Sequence, residues 1–249
     1  MRRGAFRALT NARWIFLKEL SSFLGSNLPI GAVAIVALFC GAISVVIGAN
    51  PGIGKANIVM VLFRVFYIIL LVVPASLAMF SFVSERRQGT MELLYTLPVT
   101  DFEMVLGKFF MGLLSIAVIS VGITFFYVVW IADASLFVAL AGVFGLMLAG
   151  TYAYCVGLFA SSLTDSYLLG FLVTTLVLFI VDVGGFFAGL LPSPAREVLT
   201  HMHAYSQFFP FARGIIPLKG VVFFSSLAAL FLFLTVKVLE SRRWRGSES

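Results

Sequence analysis

The chain has 249 residues, 61% of them hydrophobic and only 11% charged, with 17 Lys and Arg against 11 Asp and Glu and a net charge of +6. Soluble domains are roughly 45–50% apolar, so this composition, with a mean hydropathy of +1.09, excludes an ordinary soluble domain and defines a polytopic membrane protein. The stretches between apolar runs are too short to carry a core of their own, which excludes a separate catalytic domain, and in such a chain the basic excess reports topology instead of nucleic acid binding.

In chain order, the first element is an amphipathic helix over 5–24, within an N-terminal segment 1–27. Phe6, Leu9, Phe16, Leu20 and Phe23 share one face, and Arg2, Arg3, Arg7, Arg13 and Lys18 supply positive charge. That pattern fits a helix lying in the interface of an anionic leaflet, against membrane lipids. The basic start leads into this stretch and not into a short apolar core with a small-residue cleavage site, so a signal peptide is not expected. Six apolar spans follow, near 28–49, 58–83, 104–131, 135–160, 167–191 and 216–238, each close to the roughly 20 residues that cross a bilayer. Turn sequences separate them: Asn50-Pro51-Gly52-Ile53-Gly54, Asp133, and Ser161 to Ser166.

Between the second and third spans, residues 84–103 break the apolar pattern with Glu85, Arg86, Arg87, Glu92, Asp101 and Glu103. Gly89 and Thr90 can open a short helix, and Pro98 closes it. Met91, Leu94 and Leu97 recur at i, i+3 and i+6 and form one apolar ridge, with Glu92 on another face. A Thr100/Glu103 capping box then starts the next long helix near Asp101. An amphipathic helix slung between two membrane helices is suited to a groove on a soluble partner. Glu85, Arg86 and Glu92 are expected to fix its register at the groove edge.

Arg64 and Asp182 lie inside the second and fifth spans at similar depth by helix rise, and are candidates for an ion pair or a polar path; snorkelling and backbone capping are the bland alternatives. The segment 192–215 carries Pro192, Pro194 and Pro210, the histidines His201 and His203, and an apolar run, and is expected to dip back into the outer leaflet under protein cover. His201 and His203 diverge on a helix and make a poor metal pair. Cys40 and Cys155 sit in apolar runs as packing residues. Twelve of the 17 basic residues fall in the N-terminal arm, in the 84–108 region (Arg86, Arg87, Lys108) and in the tail (Lys237, Arg242, Arg243, Arg245). The positive-inside rule therefore places both termini and the 84–103 loop in the cytoplasm.

The run Glu85-Arg86-Arg87-Gln88-Gly89-Thr90-Met91-Glu92-Leu93-Leu94, followed by Leu97-Pro98 and Leu106-Gly107-Lys108, resembles the signature of type-two ABC transporter permeases, especially the gliding-motility GldF-like branch. Phe159 to Asp165 and His203 to Gly214, with Ser206 and Arg213, are similar to the same branch. The resemblance implies a single six-helix permease domain over 1–249 in a bacterial cytoplasmic (inner) membrane. Its loop 84–103 would hold a coupling helix seated on an ATPase dimer, with Glu85, Arg86, Gly89, Thr90, Met91, Glu92, Leu94, Leu97 and Pro98 as partner-binding residues. ATP and Mg would be bound by the ATPase, with no cofactor in this chain. The resemblance further implies that the second and fifth spans line the face between two permease halves. The other half would be a second copy or a related membrane subunit with an extracytoplasmic domain, a domain not expected in this chain. The expected function is ATP-coupled export or movement of a substrate, with no catalysis in this chain. The alternatives are a non-transporting, ATPase-coupled scaffold and an intramembrane enzyme; the spans offer the latter no His cluster, Gly-x-Ser-x-Gly or close carboxylate pair.

Overall fold

The computed structural model describes residues 55–90, 100–130, 136–183 and 203–246, together with scattered single positions among residues 17–45 and Pro192. Its elements are α1 (Lys55–Arg87), α2 (Asp101–Trp130), α3 (Leu136–Leu163), α4 (Tyr167–Val183), the short α5 (Ala204–Phe208), a 3-10 turn (Phe211–Arg213) and α6 (Leu218–Gly246). Among the described residues the chain is all-helical, and four helices (α1, α2, α3 and α6) are long and apolar enough to cross a membrane. α4 is a shorter apolar helix of 17 residues, about 25 Å long at 1.5 Å per residue. Most of the expected first span and of the N-terminal helix lies outside the described residues, as do 184–191 of the expected fifth span.

α3 touches every other described element. It carries no charged residue, and its buried positions are mostly small: Ala139, Ala141, Gly142, Gly145, Ala149, Gly150, Ala153, Gly157 and Ala160. Lipid tails are as apolar as leucine, so helices in a membrane associate by close packing, which small residues permit. Gly142 faces the Phe63 ring, Gly112 of α2 faces the Tyr154 ring, and a Cβ at Gly157 would collide with the Ala75 carbonyl and the Ala78 side chain. This last contact falls beside Pro74, the one proline inside α1. Proline donates no amide hydrogen to the turn before it, and the carbonyl of Leu70, four residues ahead of Pro74, faces Gly150. The small residues of α3 thus accept the irregular part of α1.

Helix limits differ from expectation in two places. α1 continues through Ser84–Arg87, because nothing in that run breaks a helix, and two arginines in the last turn complement the helix dipole. The break comes at Gly89, with φ +69°, a left-handed conformation that glycine adopts without a Cβ penalty. Gly89 is therefore a stop signal for α1, and Glu85, Arg86 and Arg87 are helical residues of α1, not loop residues. Likewise α6 runs to Gly246, past the expected limit at 238, with Lys237 and Glu240 paired at 2.8 Å along its surface. The start of α2 is as expected: the Thr100 amide donates to Glu103 (3.0 Å) and the Glu103 amide to the Thr100 hydroxyl (3.3 Å).

Ahead of α6, α5 and the 3-10 turn fold back against the bundle, with Phe208 and Phe211 fully buried. Phe211 packs on Gly145 and Gly220, so the turn reaches about 14 Å along α3 from its start. The irregular backbone is covered by protein at Phe211 and Ala212, while Arg213, Ile215 and Ile216 are exposed. Gly214, with φ +83°, ends the turn.

Candidate functional site

Two polar regions stand out, about 33 Å apart along α1, the rise from Arg64 to Arg86. The first is the end where α1 stops and α2 begins. Lys108, on the second turn of α2, is 1% exposed and its Nζ lies 3.0 Å from Glu85 Oε2, itself 9% exposed. The same Nζ reaches the Ser81 carbonyl (3.4 Å) and stands 5.0 Å from the Phe82 ring centroid. The Lys108 carbonyl accepts from the Tyr154 hydroxyl at 3.0 Å, so α3 holds the same turn. Ser161 of α3 accepts from the amides of Phe82 and Val83 at 2.9 and 3.3 Å. Truncating one member of a buried, hydrogen-bonded pair leaves the other charge uncompensated, which is why such pairs lock geometry even where their net stabilisation is small.

Arg86 closes the other side of this end. It donates to the carbonyls of Ser162 (2.7 Å), in the last turn of α3, and Thr164 (3.0 Å) and to the Asp165 carboxylate (2.8 Å), both in the α3–α4 connection. Arg87 donates to the Asp165 carbonyl and stacks over the Tyr167 ring at 4.5 Å. Arg242 of α6 reaches Asp165 at 3.4 Å and also donates to the Leu163 carbonyl. The Arg86 hydrogen bond, reinforced by the charges of Arg86 and Arg242, holds the Asp165 carboxyl below the usual carboxylate range despite some burial. Five helix ends meet around two carboxylates, Glu85 and Asp165.

Within the chain, Glu85 and Arg86 turn onto Lys108 and onto the end of α3 with its connection to α4. Gly89 closes α1, and the Thr90 hydroxyl donates back to the Glu85 carbonyl at 3.2 Å, tying Thr90 to the end of α1. Met91, Glu92, Leu94, Leu97 and Pro98 lie outside the described residues. Lys108, Asp165, Tyr154 and Arg242 were not singled out as parts of one cluster by sequence. Their partners are remote along the chain, so no local spacing exposes them.

The second region lies toward the opposite end. Asp182 of α4 accepts a hydrogen bond at Oδ1 from the Tyr67 hydroxyl of α1. Tyr67 stacks on Phe208 at 4.8 Å and meets Tyr205 edge-on at 5.5 Å. Arg64 is exposed and lies over the Tyr205 ring, 5.3 Å from its centroid, a cation–π placement. Arg64 and Asp182 form no ion pair. They are the two ends of a run Arg64–Tyr205–Tyr67–Asp182, in which two aromatic side chains fill the space a direct pair would need. Asp182 Oδ2 is shielded from solvent and accepts no hydrogen bond from the described residues, and the Tyr152 hydroxyl likewise has no partner among them. His203 caps the start of α5 without a side-chain capping bond; His201 lies outside the described residues. No group of three or more metal-ligating side chains occurs among the described residues.

Between α1 and α4 runs an apolar groove of about 260 Å3, walled by residues including Leu71, Val72, Met79, Phe171 and Leu178, with Asp182 as its one charged lining residue.

Fold and site together define a helical membrane protein with a tied polar end and a sparsely polar groove. No protein-family model and no curated protein matches the chain.

Proposed function

We propose that the chain is the membrane subunit of an ATP-driven transporter of the type-two ABC class, with the 88–100 connection seated on a separate ATPase that binds ATP and Mg. The observation that carries this reading is the buried Lys108–Glu85 pair at the base of that connection. A loop that only linked two spans needs no such lock, because connections are ordinarily tolerant and mobile. A loop that receives displacement from a partner requires both its ends held, so that α1 and α2 move as levers and bias a bundle with two arrangements. The Arg86 and Arg242 ties to Asp165 extend the same unit to α3, α4 and α6. The partner contact itself is assigned to the Met91/Leu94/Leu97 ridge, on the sequence pattern described above. The reading places the tied end and both termini in the cytoplasm of a bacterial cell, on the clustering of basic residues. A second copy or a related membrane subunit completes the transporter.

The test is purification of the tagged chain in mild detergent from its own host, with analysis of what co-elutes. An ATPase is expected in stoichiometric amount. Leu94→Asp, which places a charge in an apolar contact at a cost of several kcal/mol, about the price of an unpaired buried charge, is expected to strip the ATPase and leave the membrane subunit folded. Wild-type recovery of the ATPase with Leu94→Asp removes the ridge contact, and absence of any ATPase from the wild-type preparation removes the transporter reading.

A further inference from the structure

We propose that the groove between α1 and α4 binds a single alkyl chain with a cationic, hydrogen-bond-donating head, the chain lying along the groove and the head on Asp182. Naming that amphiphile a substrate rests on the transporter reading; its binding does not. The groove spans about 16 Å along α4 from Phe171 to Asp182. Its walls offer almost nothing to a polar ligand. The Ser76 hydroxyl is committed to the Val73 carbonyl at 2.8 Å and the Thr174 hydroxyl to the Gly170 carbonyl at 2.7 Å. A sugar or peptide would lose hydration there without replacement.

The exception sits at one end. Asp182 uses Oδ1 for Tyr67, while Oδ2 is shielded and unmatched by any donor among the described residues. The nearest cation on α1, Arg64, is turned onto Tyr205 and does not reach it. A carboxylate in an apolar wall is costly unless a donor or opposite charge meets it. An ammonium head supplies both, and its alkyl chain matches the walls. An anionic head would meet like charge. The chemistry of the groove therefore selects for head charge as well as for chain.

The experiment uses the full chain in phosphatidylcholine nanodiscs without nucleotide. Two photoreactive dodecyl probes are compared, one headed by an amine and one by a carboxylate, and labelled residues are mapped by mass spectrometry. The amine probe is expected to label the α1 and α4 walls in a way that unlabelled dodecylamine displaces. Asp182→Asn should lower this labelling on the order of tenfold, the worth of a hydrogen bond to a charged group. Thr175→Trp, which fills the groove from an exposed wall position and leaves Asp182 in place, should lower it comparably and decides the matter if Asp182→Asn fails to fold. Equal labelling by the carboxylate probe, labelling spread evenly over lipid-facing positions such as Leu140 and Val222, or labelling unchanged in Thr175→Trp would overturn the proposal. Failure of the transporter reading would show separately, as no co-eluting ATPase with groove labelling intact.

Discussion

The two polar regions handle charge in opposite ways. At the end where α1 meets α2, every ionic group named has a partner within the chain: Lys108 with Glu85, Arg86 and Arg242 with Asp165. In the other region, Arg64 has only a ring face, and Asp182 a single phenol for two oxygens. Both are built on α1 and both touch α4 or its flanking turn, so position in the fold does not explain the contrast. The first arrangement spends its charge on fixing helix ends relative to one another. The second leaves capacity unspent beside a groove, where a ligand's charge can change the balance. A fully paired cluster and a partly satisfied carboxylate thus sit toward opposite ends of one helix.

The sharpest way to break the contrast is Lys108→Met. Leaving Glu85 buried and unpaired should cost about 3–5 kcal/mol, read as a large fall in detergent thermal stability, and adding Glu85→Gln should recover much of the loss. If the single substitution is neutral, the pair is not a lock. Tyr67→Phe attacks the other region and should cost less, about 1–3 kcal/mol for an acceptor deprived of its donor. Because this region already holds an unsatisfied oxygen, a loss in Tyr67→Phe equal to that in Lys108→Met would erase the distinction between the two.

The smallest expected effect is at Asp165. Its folded-state carboxyl is held below its ordinary value, so its contribution is present above the unfolded pKa of about 3.9 and fades as pH falls through the lower folded value. Stability of the wild type should therefore fall more steeply than that of Asp165→Asn only below about pH 4. With the carboxylate side chain 69% exposed, the difference should be slight. A difference of the same size at pH 7 to 5 would point to another group.

Local chemistry was legible in the sequence where the interacting groups are neighbours. Thr100 and Glu103 are three residues apart, and the capping box predicted from that spacing is the one observed. The long apolar helices were legible for the same reason, since length and composition are properties of a stretch. Gly89 shows the limit of such signals: a glycine can open one helix or close another, and choosing required knowing that Ser84–Arg87 had somewhere to pack. That place is Ser161 to Asp165, nearly eighty residues on, where no periodicity reaches. Arg64 and Asp182 were visible as charges in apolar spans, but Tyr67 and Tyr205, which separate them, carry no such mark. A tyrosine in an apolar run reads as core until its hydroxyl is seen to bond. The Met91/Leu94/Leu97 ridge remains a pattern in sequence, outside the described residues.

In the proposed transporter, the tied base of the 88–100 connection would pass ATPase movement to the α1–α4 groove. This transfer is tested most directly by the accessibility of a cysteine at Ser76, in a background with Cys40 and Cys155 replaced by serine, in the complex with its ATPase. Maleimide labelling of Ser76→Cys should change rate on addition of ATP and Mg. With Lys108→Met and Glu85→Gln added, the ATPase should stay bound and hydrolyse ATP while the rate change is lost. A rate that ignores ATP in the otherwise intact complex, or that responds equally with the buried pair removed, would contradict the account.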